Sequence, residues 1–332
     1  MIYWGNSDDR LNLPSRTSLS MTLQGTDRAL DYTATIKTLP PGAADGERDI
    51  VIIDGREDKG QIYSGIVKHL DAMREMCGFK ERLAVSTRTT FPIGSGLAGS
   101  AAAHSALAEA FAGLVADENN DNDIHLDREK ISMMARRGSG SAARSVFGGF
   151  VKLLSRASGE PGMAVQLFDE DHWDLRDVIA VVDPGLKKTN SRDGMRLSTR
   201  TCPAEIYSRF VAAADTNVSG AQEAIAGRDL QALGRVYESD NALFRKVCMN
   251  TEPALDYWSQ STAEVFDTVA KLRADGMAVF AGTDAGPNVH VFCVPRESSK
   301  LVEALRGTPG VREIIHARPG GPSKRTEEQH LL

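Results

Sequence analysis

The segment Pro92-Ile93-Gly94-Ser95-Gly96-Leu97-Ala98-Gly99-Ser100-Ala101 sets three glycines ahead of a run of alanines, a combination suited to holding phosphate. Gly94, Gly96 and Gly99 carry no β-carbon, so the backbone can come close to a ligand. The helix expected next begins with unpaired N–H groups at the positive end of its dipole. Together these features seat an anion such as a di- or triphosphate. The Ser100 hydroxyl can reach a phosphate oxygen or a Mg2+ ion. A Gly/Ala-rich helix packed closely on a neighbour accounts for the composition equally well. The Walker A loop, whose GKS or GKT ending is missing, and the dinucleotide fingerprint are set aside.

Three further segments carry groups able to act on such a ligand. Gly138-Ser139-Gly140-Ser141-Ala142-Ala143-Arg144-Ser145 supplies N–H and hydroxyl donors and a guanidinium. Asp284-Ala285-Gly286-Pro287-Asn288 presents a carboxylate, and Ser191-Arg192-Asp193-Gly194-Met195 a second guanidinium. Taken singly, each has an ordinary explanation. Asp284 is at home in a turn, Arg144 suits a surface ion pair, and Arg192 lies in a charged run that suits a solvated loop.

Together the segments point further. The glycine-rich turn resembles the PxxxGLxSSAA phosphate loop of the GHMP kinase superfamily: Gly96, Leu97, Ser100 and Ala101 match, with Gly99 in place of the first serine. Tyr3-Trp4-Gly5, Leu13-Pro14 and Ser18-Leu19-Ser20 resemble the KYWGKxD…LPxNxSLS opening of the mevalonate diphosphate decarboxylase and phosphomevalonate decarboxylase family. The Ser-Gly segment with Gly148-Gly149-Phe150 is similar to that family's GSGSACRSxxGGF, and the other two to its DAGPN and SRxGM. The five motifs fall in the family's order and span nearly the whole chain.

The resemblance implies an ATP- and Mg2+-dependent decarboxylation of phosphomevalonate or diphosphomevalonate, through phosphorylation of its C3 hydroxyl. Asp284 would orient that hydroxyl and take its proton. Arg144 would hold the carboxylate in a two-pronged fork that lysine cannot copy. Residues 94–101 would cradle ATP. Tyr3, Trp4, Ser139, Gly140, Ser141, Ser191, Arg192 and Met195 would line the substrate pocket, with Tyr3 and Arg192 at its terminal phosphate. Three positions depart from the pattern. Ile2 and Asn6 replace lysines, and Arg16 replaces the asparagine of LPxN. Ile2 keeps a mevalonate 3-kinase without CO2 release as the alternative, while Asp284 and Arg144 favour the decarboxylase. Losing a cation at Asn6 favours a monophosphate over a diphosphate. The resemblance opens inside the first motif, whereas the family carries an earlier stretch.

Elements must hold these groups in place. Residues 18–23 alternate apolar and hydroxyl side chains, which predicts a half-buried strand with Ser and Thr on its wet face. Strands are also expected over 28–37, 49–54, 82–89, 163–168, 178–182, 277–281, 289–294 and 312–317. Helices are expected over 59–78, with Ile62, Ile66, Leu70 and Met73 on one face, and over 127–137. The same spacing recurs over 204–215, 218–226, 230–248, 262–275 and 300–305. Met133 and Met134 read as core fillers, and His172 with Trp173 as a loop anchor. A two-domain α+β chain follows, divided into 1–184 and 185–332. The resemblance adds a ribosomal-S5-like first domain with a left-handed βαβ crossover and a second, helix-backed antiparallel sheet.

Composition narrows the partners. The chain has 332 residues, a 41% hydrophobic share and a net charge of −6, with no basic run to follow a nucleic-acid backbone. Cys77, Cys202, Cys248 and Cys293 are scattered without a CxxC pair, which suits reduced thiols in a cytoplasm. No histidine spacing suggests a protein-bound metal. No apolar run reaches membrane-spanning length, and the first residues lack the basic and apolar regions of a signal peptide. A cytoplasmic enzyme acting on a small molecule is expected, and the resemblance adds a homodimer.

Overall fold

The computed structural model describes residues 1–40, 48–91, 97–118, 126–156, 159–183, 188–326 and 330–332. The opening segment forms short strands β1 (Asn6–Asp8), β2 (Leu13–Pro14), β3 (Ser18–Met21) and β4 (Leu23–Gly25). Ser18 is fully buried rather than on a wet face, because its hydroxyl accepts a hydrogen bond from Arg144.

Strands β5 (Tyr32–Thr38), β6 (Ile50–Ile53), β7 (Arg56–Glu57) and β8 (Leu83–Thr89) form a sheet in the order β5-β8-β6-β7. β6 and β8 run parallel, so a crossover must join them, and α1 (Gln61–Cys77) provides it. Its stripe buries Ile66, Leu70 and Met73, and Gly78 ends it in the left-handed region at φ 67°. Ile62, expected on that face, is 52% exposed in the first turn of the helix. α2 (Gly99–Glu118) and α3 (Arg128–Gly138) complete the layer. Leu107, Phe111, Val115, Ile131 and Met134 pack there against Val51, Leu83 and Val85. The alanines of α2 allow this close approach: Ala101, Ala108 and Ala112 are all buried.

The short α4 (Ala142–Ser145) follows α3, and then β9 (Phe150–Leu153) and β10 (Ala164–Phe168) join β3 in an antiparallel sheet ordered β10-β9-β3. β9 was not expected from sequence; its Phe150, Val151 and Leu153 are buried on both faces, so no period-two alternation marks it.

The rest of the chain consists of β11 (Arg176–Val181), α5 (Ser191–Thr201), α6 (Ala204–Ala226), α7 (Leu230–Met249), α8 (Gln260–Ala274), β12 (Phe280–Gly282), β13 (Val289–Cys293), α9 (Pro295–Arg306) and β14 (Glu313–Pro319). The second large sheet is antiparallel in the order β12-β13-β11-β14-β4. α8 and α9 cover one face, where Val265, Val269, Leu301 and Leu305 meet Val178, Ala180, Val289 and Val291. The residue-184 division falls at residues 184–187, outside the described residues. The two helices expected over 204–226 are one, because Phe210, Ala214, Val218, Ala221 and Ile225 carry a single buried stripe through the Thr216-Asn217 interruption. The charged run at Arg192 is helical rather than a loop: the Asn190 side chain caps α5 by accepting from the Asp193 N–H. The fold class is α+β.

Candidate active site

Four segments come together around Tyr3 and Arg144. The first is Tyr3. Its ring lies 6.0 Å from the Arg144 guanidinium carbon, and its hydroxyl donates to Asn6 Oδ1 at 2.5 Å. Gly140 packs directly on that ring: a Cβ there would fall 1.8 Å from the Tyr3 hydroxyl, so no side chain fits. Burial is the main cause raising the Tyr3 phenol well above its ordinary pKa, with the Arg144 charge opposing it, so Tyr3 stays a neutral donor.

Arg144 comes from α4, one helical turn after Ser139 and Ser141, whose hydroxyls lie 3.4 Å apart. It is 8% exposed. Nη1 donates to Ser18 Oγ, while Nε has no partner among the described residues. Burial lowers its pKa to about 10, against the raising influence of the Asp284 carboxylate and Tyr3. It is therefore charged at neutral pH, and an orphaned buried donor of this kind is satisfied by a carboxylate.

Asp284 follows β12 and is exposed. Its backbone is held on both sides. The preceding Thr283 is clasped by the Asn241 amide. Beyond the turn, Asn288 Oδ1 accepts from the Val182 and Asp183 N–H groups at 2.8 and 3.1 Å. The electrostatic influence of Asp284 on Arg144 places the two on the same side of the molecule.

Arg192, in the first turn of α5, donates to the Gly138 carbonyl at 2.6 Å and so reaches the end of α3 beside Ser139. Ser191 is half-buried. Trp4 and Met195 are placed elsewhere. Trp4 is 2% exposed, with its indole N–H donating to Ser198 Oγ at 3.1 Å. Met195 packs on the same apolar cluster. These two support the pocket wall from behind.

Of the phosphate segment, Gly94, Ser95 and Gly96 lie outside the described residues. Leu97 packs against Ile179, Val181 and Ile315 of the second sheet, and Ala98 takes a positive φ of 52° just before α2 begins. Gly99, Ser100 and Ala101 form the first turn of α2, where Ser100 is exposed. The helix start thus abuts the second sheet. Gly94, Gly96 and Gly99 do fall at the G-x-G-x-x-G spacing, so spacing alone does not set the dinucleotide fold aside. Topology does: β8, the strand before this turn, pairs antiparallel with β5, unlike the parallel sheet of a dinucleotide domain. No group of three or more metal-ligating side chains occurs among the described residues.

Sequence reasoning missed Asn12, Asp240 and Asn241. Asn12 Nδ2 donates to the Arg136 and Arg137 carbonyls at 3.0 and 2.9 Å, tying the opening segment to α3. The signal was available at Asp240 and Asn241, two polar residues on the apolar stripe of α7.

This architecture is the GHMP kinase fold, a class of ATP-dependent enzymes acting on small molecules. Residues 1–164 match the model of the diphosphomevalonate decarboxylase-like N-terminal domain, and residues 177–327 that of the mevalonate 5-diphosphate decarboxylase C-terminal domain. The diphosphomevalonate decarboxylase of Bos taurus is 32% identical over 322 residues, covering 92% of this chain and 76% of the relative. That of Homo sapiens is 31% identical over 327 residues, covering 91% and 76%. The crystal structure of mevalonate diphosphate decarboxylase from Staphylococcus aureus superimposes with a TM-score of 0.83 at 25% identity, covering 97% of this chain and 92% of that one. A structure described as MDDEF in complex with MVAPP, AMPPCP and magnesium gives 0.82 at 25% identity, covering 97% and 93%. The chain belongs to the diphosphomevalonate decarboxylase family.

Proposed function

We propose that the protein converts a phosphorylated mevalonate to isopentenyl phosphate or diphosphate, phosphorylating the C3 hydroxyl before phosphate and CO2 leave. The observation that supports this reading is a buried guanidinium with an orphaned donor, Arg144, lying within the electrostatic reach of the exposed Asp284 carboxylate. ATP with Mg2+, seated at the start of α2, supplies the γ-phosphoryl group. The N–H groups of the first turn of α2 and the exposed Ser100 hydroxyl suit a triphosphate there.

Asp284 takes the C3 hydroxyl proton as that oxygen is phosphorylated. The C3–O bond then breaks with its electron pair on the departing phosphate. The C1–C2 pair becomes the C2=C3 double bond, and C1 leaves as CO2. Arg144 holds the C1 carboxylate in line for that cleavage. Ser139, Gly140, Ser141 and Tyr3 position the chain of the substrate, while Arg192 and Ser191 meet its terminal phosphate. Asn6 is neutral and offers that phosphate no charge, and its amide is engaged with Tyr3, Asp9 and Asn12. This supports the monophosphate as the preferred substrate. The dispersed cysteines, without a CxxC pair, support a cytoplasmic setting. Membership of the family supports a homodimer.

The test incubates the protein with ATP, Mg2+ and, in turn, mevalonate, 5-phosphomevalonate and 5-diphosphomevalonate. ADP and CO2 are expected in equal amounts from a phosphorylated substrate, and Asp284→Asn should lower both together, to a residual rate read in single turnovers. ADP without CO2 would instead mark a kinase that stops at the 3-phosphate, the outcome that the apolar Ile2 would explain.

A further inference from the structure

Asp240 and Asn241 are neighbours on α7, yet each holds a different half of the active site. The Asn241 side chain clasps the backbone of Thr283: Nδ2 donates to its carbonyl at 2.6 Å, and Oδ1 accepts its N–H at 3.3 Å. The Thr283 hydroxyl accepts from the Trp258 indole at 2.6 Å. Thr283 directly precedes Asp284. Asn241 is 4% exposed and Thr283 fully buried, so solvent has little access to replace these bonds.

Asp240 turns the other way. Its Oδ2 accepts from the Ile2 N–H at 2.9 Å, and its Oδ1 from Arg16 Nη2 at 2.5 Å and Asn217 Nδ2 at 3.1 Å. Ile2 leads into Tyr3. Arg16 lies two residues before Ser18, the partner of Arg144. Burying such polar groups on an apolar helix face is costly without partners, and apolar residues would serve stability as well or better. Here the partners are the two segments that carry the site.

We propose that Asp240 and Asn241 are positioning residues of this reaction, which set the Tyr3–Arg144 side of the cleft against the Asp284 carboxylate. They touch neither substrate nor reacting atoms. The inference rests on the reaction proposed above. A misplacement of about 1 Å at a reacting group costs about 10²-fold in rate, so loosening either clasp is felt as lost turnover rather than lost binding.

The experiment uses the full chain with ATP, Mg2+ and both phosphorylated mevalonates, in wild type, Asn241→Ala, Asp284→Asn, the double variant Asn241→Ala/Asp284→Asn, and the paired Arg16→Asn/Asp240→Asn. Asn241→Ala should lower kcat about 10- to 100-fold while the KM of each substrate changes little. Single-turnover rates in the Asp284→Asn background should show no further loss, because the clasp acts through that carboxylate. The paired Arg16/Asp240 variant, which leaves no buried charge unpaired, should lose kcat in the same way. Should Asn241→Ala fail to fold, the paired variant decides by the same split. Wild-type kcat in the variants, or an equal fold-loss with and without Asp284, overturns the positioning role. No turnover of either substrate by wild type overturns the proposed reaction and this inference with it.

Discussion

Arg16 and Asp240 meet as a buried ion pair, Nη2 to Oδ1 at 2.5 Å, with side chains 0% and 1% exposed. The guanidinium also lies 3.9 Å above the Phe210 ring. Its Nε and Nη1 have no partner among the described residues, which is costly in a dry interior. Burial pushes the Asp240 carboxyl up, but the Arg16 charge, the Met1 amino group, the Arg16 hydrogen bond and the Ile2 N–H outweigh it and hold the pKa below the ordinary value. A lowered carboxylate pKa contributes stability that is present at neutral pH and lost as pH falls through the folded-state value.

Asp240→Ala should therefore destabilise by about 3–5 kcal/mol, because it strands a buried charge. Arg16→Met/Asp240→Leu should recover most of that loss, since an apolar replacement of a buried pair is often neutral. Recovery stays incomplete because the Ile2 N–H loses its acceptor. Urea melts of the three proteins check the order, and a double variant no more stable than Asp240→Ala would refute it.

Arg144→Lys keeps the charge and loses the fork, so CO2 release should fall about 10²- to 10³-fold, the loss expected when a donor aimed at developing charge is removed. The CO2 release of the two proteins at saturating substrate checks this, and an unchanged rate would show that the fork is not needed.

Much of the fold was legible where packing follows one simple period. The stripes of α1, α3, α7 and α8 and the alternation of β5 announce themselves. Where a segment is buried on all sides, as β9 is, or where a cap decides, as Asn190 does for α5, periodicity is silent. The site was legible through side chains that carry chemistry, Arg144, Asp284 and Arg192. Its supports were not: Asn241 and Asp240 act through backbone groups far away in sequence, and such partnerships exist only once the chain has folded. Trp4 shows the converse. Its neighbour Tyr3 faces the site, and the alternation of the segment sends the indole into the core.

Acid should weaken the protein through His69. The His69 Nε2–H donates to the Met134 carbonyl at 2.9 Å, so its Nδ1 accepts from His104 Nδ1–H at 3.0 Å. Burial lowers the His69 pKa to about 4, the Met134 carbonyl opposing and the Arg192 and Arg137 charges assisting. His104 is lowered by burial, then by His69 and Arg192. Between pH 6.5 and 4 the unfolded chain binds a proton that folded His69 refuses, so stability falls as pH drops, by up to about 1.4 kcal/mol per pH unit. His69→Gln, neutral throughout, should flatten that slope in melts from pH 7 to 4.5; an unchanged slope would place the acid sensitivity elsewhere.

The preference for one or two terminal phosphates turns on Asn6. Its Oδ1 accepts the Tyr3 hydroxyl at 2.5 Å and its Nδ2 donates to Asp9 at 3.0 Å, so the position contributes no charge and sits beside a carboxylate. A diphosphate brings more negative charge than Arg192 alone neutralises, and a charge-assisted hydrogen bond from an added ammonium contributes about 1.5–3 kcal/mol. Asn6→Lys should therefore raise kcat/KM for 5-diphosphomevalonate relative to 5-phosphomevalonate by about tenfold or more. The same change removes the acceptor from Tyr3, so turnover of the monophosphate should fall slightly. Wild type that already favours the diphosphate, with a ratio unmoved by Asn6→Lys, would mean that the terminal phosphate is bound by other cations and that Asn6 does not set the choice.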